Sequence, residues 1–129
     1  MKRTVILLSV LVLVSGFSAF GATDDPTVDA ETREAIRQKT REYIAANTVS
    51  GTYHFYDVVT NEVIQLKFKK LHGGIRTTDD FFMSCADFEN EDGTLYDMDF
   101  LLIQNETGEF VVTQPYLHGI DKQHRPFHP

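Results

Sequence analysis

Residues 81–102 read FFMSCADFENEDGTLYDMDFLL, and their pairing decides the fold. Two runs with apolar residues at alternate positions flank an acidic segment ending in Asp92-Gly93, a strong short-range signal for an antiparallel hairpin. A type I turn with Gly93 in the left-handed conformation sets Asn90 opposite Thr94, Asp87 opposite Asp97 and Cys85 opposite Asp99. Successive side chains on a strand point to opposite faces. Cys85, Asp87, Asp97 and Asp99 therefore share one face, and Phe82, Phe88, Tyr96, Met98, Phe100 and Leu102 share the other. One face is a core wall and the other an acidic plate.

Upstream of the hairpin, residues 52–59 form an aromatic-rich strand and residues 60–62 a turn. A second strand over 63–71 turns Ile64, Leu66 and Phe68 one way and Gln65, Lys67 and Lys69 the other. His72-Gly73-Gly74 breaks or bulges that strand, and residues 77–80 supply another turn. The register between the second and third strands is open at this level. Downstream, a turn at 105–108 leads to a last strand over 109–117, placed at an edge by Pro115. Residues 119–129 are polar and aperiodic and read as a flexible tail. Before the strands, a helix is expected from Pro26, at its first position, to about Ala46, with Asp25 or Asp29 near its positive end. It carries one apolar stripe including Ile36, Tyr43 and Ile44, and a solvated ridge of Arg33, Arg37 and Arg41. The expected fold class is α+β: one N-terminal amphipathic helix packed on a four- to five-stranded antiparallel meander sheet.

The chain opens with Lys2-Arg3, an apolar run over 4–14 and small residues up to Gly21. Ala19 and Gly21 fit cleavage after Gly21, so residues 1–21 read as a signal peptide and 22–129 as a single domain. The apolar run is short of the ~20 residues a spanning helix needs. The expected location is extracytoplasmic, periplasmic or secreted, with no membrane attachment after cleavage. Losing Lys2 and Arg3 takes the 12 basic residues to 10 against 19 acidic ones, a net charge of −9. That balance excludes nucleic acid and anionic membrane as ligands. The single cysteine, Cys85, allows no internal disulfide and reads as a small buried hydrophobe.

Charge is segregated along the chain. Residues 77–121 contain eleven acids and no Lys or Arg, whereas residues 63–76 contain Lys67, Lys69, Lys70 and Arg76 and no acid. Like charges directly opposite in a sheet repel, so the Asp87, Asp97 and Asp99 plate needs a counter-charge. Lys67 and Lys69 on the neighbouring strand, a bound cation or a basic partner would each serve. Residues 87–93 imitate a calcium loop, but Asp92 stands where an EF-hand has its glycine, and Met98 where it has its glutamate. Weak Ca²⁺ binding is the only cofactor expectation. His118, His124 and His128 fall in or beside the tail, where disorder is expected to keep them from forming a zinc site.

Catalytic signals are thin. Asp97 and Asp99 are about 7 Å apart along a strand, compatible with hydrolysis by paired carboxylates, and Cys85 with His54 or His118 could imitate a thiol–imidazole pair. No nucleophile elbow, HExxH, phosphate loop or dinucleotide fingerprint occurs. A non-catalytic binding or interaction domain is the first expectation, a cation-binding protein the second and a small hydrolase the third. The reverse face has an apolar end, Phe81, Met83, Leu101 and Ile103. The helix cannot also cover it, so it reads as an association surface for a homodimer or an extracytoplasmic partner, unless the tail folds over it.

The helix-on-sheet plan resembles the cystatin-like and nuclear-transport-factor-like layouts. Cys85-Ala86-Asp87-Phe88 followed by Tyr96-Asp97-Met98-Asp99-Phe100 resembles small secreted bacterial domains of unknown function, over residues 52–121. That resemblance implies no activity. The cystatin inhibitory loop Q-x-V-x-G is absent, since Gln65 and Gln114 lead to Lys67 and Tyr116 at the valine position.

Overall fold

The structure is a computed structural model, and it describes residues 25–125. The expected leader over 1–21, Phe127 and His128 lie outside the described residues. One helix, α1 (Ala30–Ala46), precedes β1 (Thr48–Val49), β2 (Thr52–Asp57), β3 (Glu62–Thr77), β4 (Phe82–Glu89), β5 (Leu95–Gln104), β6 (Phe110–Ile120) and β7 (Gln123–His124). The strands form one antiparallel sheet in chain order, with α1 packed on it. The α+β class stands, but the strands number seven and not four to five. The two additional ones, β1 and β7, are two residues long, too short for a period of two to register in the sequence. Residues 119–125 are the end of β6, a turn and β7.

The helix begins at Ala30, four residues later than Pro26 suggests. Asp29 is its cap: the backbone there is extended, and the side chain accepts from Thr32 N at 2.9 Å. Asp25 serves a different purpose. Its carboxylate accepts from Thr27 N, at 2.8 Å, and from Thr77 Oγ1, while its own N–H donates to Ile75 O at 2.9 Å, tying the chain to the end of β3. Ile36, Thr40 and Ile44 form the buried stripe, and Thr40 satisfies its hydroxyl by donating to Ile36 O. Arg37 and Arg41 pair with Glu34, but the three ridge arginines are half-buried and Arg33 donates to Val28 O at 2.7 Å, so the expected solvated ridge is partly covered.

The acidic hairpin has the register read from the sequence. Cys85 lies opposite Asp99 and Asp87 opposite Asp97, Asn90 N donates to Thr94 O, and Gly93 has φ +80°. Its inner face supplies Phe88, Met98, Phe100 and Leu102 to the core, all fully buried. Phe88 packs on Tyr53 at 5.0 Å between ring centroids and on Phe100 at 6.3 Å, and Phe100 meets Tyr43 of α1 edge-on at 5.9 Å.

The open register between the second and third strands resolves through bulges. β3 runs unbroken to Thr77, and its hairpin closes where Thr78 N donates to Phe81 O. The pairing slips after Phe68 and again between Leu71 and Ile75, so that residues 72–74 lie against Cys85 alone. On the far side, β6 carries His118 as an additional residue between the Asp97–Gly119 and Met98–Leu117 pairs.

The sheet also curls. β2 and β6 are four strands apart, which in a flat sheet is about 19 Å at ~4.8 Å per step. Yet both strands line one cleft of about 480 Å³, between Tyr53 and Phe55 on one side and Pro115 and Leu117 on the other, with Tyr43 of α1. Right-handed twist accumulated over seven strands brings the two edges round. Arg125, just past β7, then reaches Asp57 at the end of β2.

Candidate metal centre

The side of β4 and β5 turned away from α1 carries the acidic plate, and the neighbouring strands supply histidines to it. Lys70 of β3 is paired with Asp87, so two residues on, at the mouth of the 72–74 bulge, His72 emerges on the same face. Its Nε2 lies 2.7 Å from Asp87 Oδ1. The bulged His118 of β6 turns to the same face, with Nδ1 2.7 Å from Asp99 Oδ2. A carboxylate only accepts, so His118 Nδ1 carries the proton of that bond. Nε2 of the same ring is 2.8 Å from His124 Nδ1, with ring centroids 4.8 Å apart. Both imidazoles that reach the plate thus come from irregularities in the strands flanking the hairpin. Bulges re-aim side chains in this way.

Asp97 lies between the two arms. Donor atoms of His72, Asp87 and Asp97 all fall within 4.8 Å of one another. Burial holds the Asp97 carboxyl above the usual carboxylate range; the nearby His72 partly offsets this and the Asp99 charge adds to it. Asp97 Oδ1 is buried without a hydrogen-bond partner among the described residues, and so is Asp99 Oδ1, whose side chain is only 3% exposed. Two carboxylate oxygens left unanswered on one face cost stability unless something supplies positive charge or a proton.

The counter-charges differ from the expected pair. Lys67 lies opposite Glu89, and the slip after Phe68 puts Lys70, not Lys69, opposite Asp87, with Nζ 3.5 Å from Asp87 Oδ2. Lys69 pairs with Glu89 at 3.1 Å. Neither lysine expected to neutralise the plate forms an ion pair with Asp87, Asp97 or Asp99 among the described residues. The well-exposed Lys70 forms an ion pair with Asp87, and His72 hydrogen-bonds to the same carboxylate.

Of the candidate residues, Asp87 and Asp97 converge, and Asp99 stands beside them, engaged by His118. His72 was not singled out as a ligand by sequence reasoning; the signal was His72-Gly73-Gly74 itself, an imidazole at a bulge next to an acidic strand. His118 and His124 are held in β6 and β7 and not in a loose tail. Cys85 is buried and free, its thiol pushed up by burial and then by the Asp99 charge. His54 is exposed on β2, away from the thiol's partners.

Phe81, Met83, Leu101 and Ile103 keep the reverse side of the sheet, but they differ in exposure. Met83 is buried at 6%, Phe81 and Leu101 are half-buried, and Ile103 is 41% exposed beside the equally exposed Val111. No helix among the described residues is long and apolar enough to cross a membrane. No protein-family model, curated protein or solved structure matches the chain.

Proposed function

We propose that this chain is a small, non-catalytic extracytoplasmic binding protein whose ligand is a divalent cation held by His72, Asp87 and Asp97. The observation that carries this reading is the convergence of three donor atoms within 4.8 Å, one from each residue. The unpartnered Oδ1 of Asp97 supports it, since a cation would answer the buried oxygen that Lys70 and His72 leave unserved. The half-exposed setting of the three residues leaves an entry path. The helix-across-a-meander plan, which we read as cystatin-like in outline, suits a binding role but assigns no ligand. The leader over 1–21 accounts for the extracytoplasmic placement, and N-terminal sequencing of exported protein should begin at Ala22.

The test is thermal unfolding of chelator-stripped protein with added divalent salts. A ligand that binds only the folded state raises the melting temperature in proportion to ln(1 + [L]/Kd). Asp87→Asn/Asp97→Asn should remain folded and lose the response. A wild-type melting temperature unmoved by Zn²⁺, Mn²⁺, Ca²⁺ and Mg²⁺ at millimolar concentration would end the proposal.

A further inference from the structure

The donor set on the reverse face is mixed in chemistry. Two carboxylates come from the β4–β5 hairpin, opposite one another in register, and one imidazole comes from the β3 bulge. Calcium takes six to eight oxygen ligands, and magnesium requires near-octahedral oxygen geometry and retains most of its water. Neither ion gains from an imidazole. First-row transition ions do: one or more nitrogen donors with carboxylates, at low coordination number, is a set that suits Zn²⁺, Co²⁺ and their neighbours.

The surroundings of the site agree with that ligand number. Asp99 is next on the Asp97 side of β5, nearly fully buried, with Oδ2 taken by His118 and Oδ1 without a partner. It lies outside the three-donor cluster, two residues from Asp97 on the same face, and His118, anchored to His124, holds its carboxylate in place. Ligands restrained by further hydrogen bonds of this kind are usual around bound transition ions. Lys70 reaches Asp87 at 3.5 Å from a largely exposed position and is easily displaced.

We infer that the site selects a nitrogen-preferring transition ion of the Zn²⁺ class over Ca²⁺ and Mg²⁺, with His72 as the ligand that decides the preference. This rests on the cation-binding reading above and adds to it the identity of the ion. The contrary view is that His72 is only the hydrogen-bond partner of Asp87 and that any cation is held by oxygens alone.

Titration calorimetry on the chelator-stripped full chain with ZnCl₂, CoCl₂, CaCl₂ and MgCl₂ separates the two. Zn²⁺ should bind at least tenfold tighter than Ca²⁺, and Co²⁺ should develop visible d–d absorption from a nitrogen–oxygen ligand field. His72→Ala should weaken Zn²⁺ tenfold or more and shift or abolish the Co²⁺ bands, while His54→Ala, an exposed histidine outside the cluster, should change neither. His72→Gln, which keeps a hydrogen-bond donor for Asp87, guards against a misfolded alanine variant and should lose Zn²⁺ affinity equally. Ca²⁺ binding as tight as Zn²⁺, or Zn²⁺ affinity unchanged in both His72 variants, overturns the inference and leaves cation binding standing. Silence with all four ions removes the cation reading and this inference together.

Discussion

Arg125 and Asp57 are 68 residues apart in the chain, and Arg125 Nη2 donates to both carboxylate oxygens of Asp57, at 2.8 and 2.7 Å. Their side chains are 13% and 3% exposed. The same Asp57 carboxylate accepts from Val59 N and Thr60 Oγ1 in the turn after β2, so it is saturated with donors. Arg125 N–H donates to His118 O, at 2.8 Å. One residue past β7 therefore closes the curl of the sheet and secures the strand that carries the histidine arm.

Removing one partner of this pair should be costly because the other charge stays buried. Asp57→Ala is expected to destabilise by roughly 3–5 kcal/mol, read as a lower urea midpoint. The Asp57→Leu/Arg125→Met double variant should recover much of that loss, since neither charge then remains. A cost below about 1 kcal/mol for Asp57→Ala, the value of an exposed pair, would show that the bridge does not close the sheet in solution.

Asp97 has the opposite character. Its carboxyl is held above the usual range chiefly by burial, so ionising it disfavours the folded state. The unfolded chain gives up this proton first as pH rises through the ordinary carboxylate range. The penalty is therefore absent below that range and complete above the raised native value. In chelator, Asp97→Asn should melt higher than the parent at neutral pH, and the difference should vanish on acidification. Melting curves across pH test this; a variant less stable at neutral pH, or a gain that does not change with pH, would contradict it.

Cys85 should be silent in the native protein. It is buried opposite Asp99, and burial together with that charge keeps the thiol protonated, whereas the thiolate is the reactive form. Alkylation by iodoacetamide at neutral pH should proceed only through unfolding, at least a hundredfold slower than in denaturant. Comparable rates in the two conditions would place the thiol at an accessible surface.

What could be read directly from the sequence is what local pattern encodes. The period of two on either side of Asp92-Gly93 determined the hairpin, its register and its two faces, because a short turn leaves neighbouring strands one way to pair. The helix stripe was legible for the same reason, although its first residue was not. Asp29 and Asp25 are equally good caps on paper, and only the contact of Asp25 with Thr77 and Ile75 separates them. The rest needed the tertiary structure. Residues 72–74 include two glycines, which carry no side-chain pattern, so the alternation that would have tracked β3 onto β4 is lost there. The slip after Phe68 sets Lys70 opposite Asp87, and the bulge at 72–74 delivers His72 to the same carboxylate. The curl that joins Asp57 to Arg125 has no local signature either, since twist accumulates over the whole sheet and its result depends on Tyr53, Phe88 and Phe100 packing together inside it. The carboxylates of the site were a matter of sequence; their imidazoles were a matter of bulges and curvature.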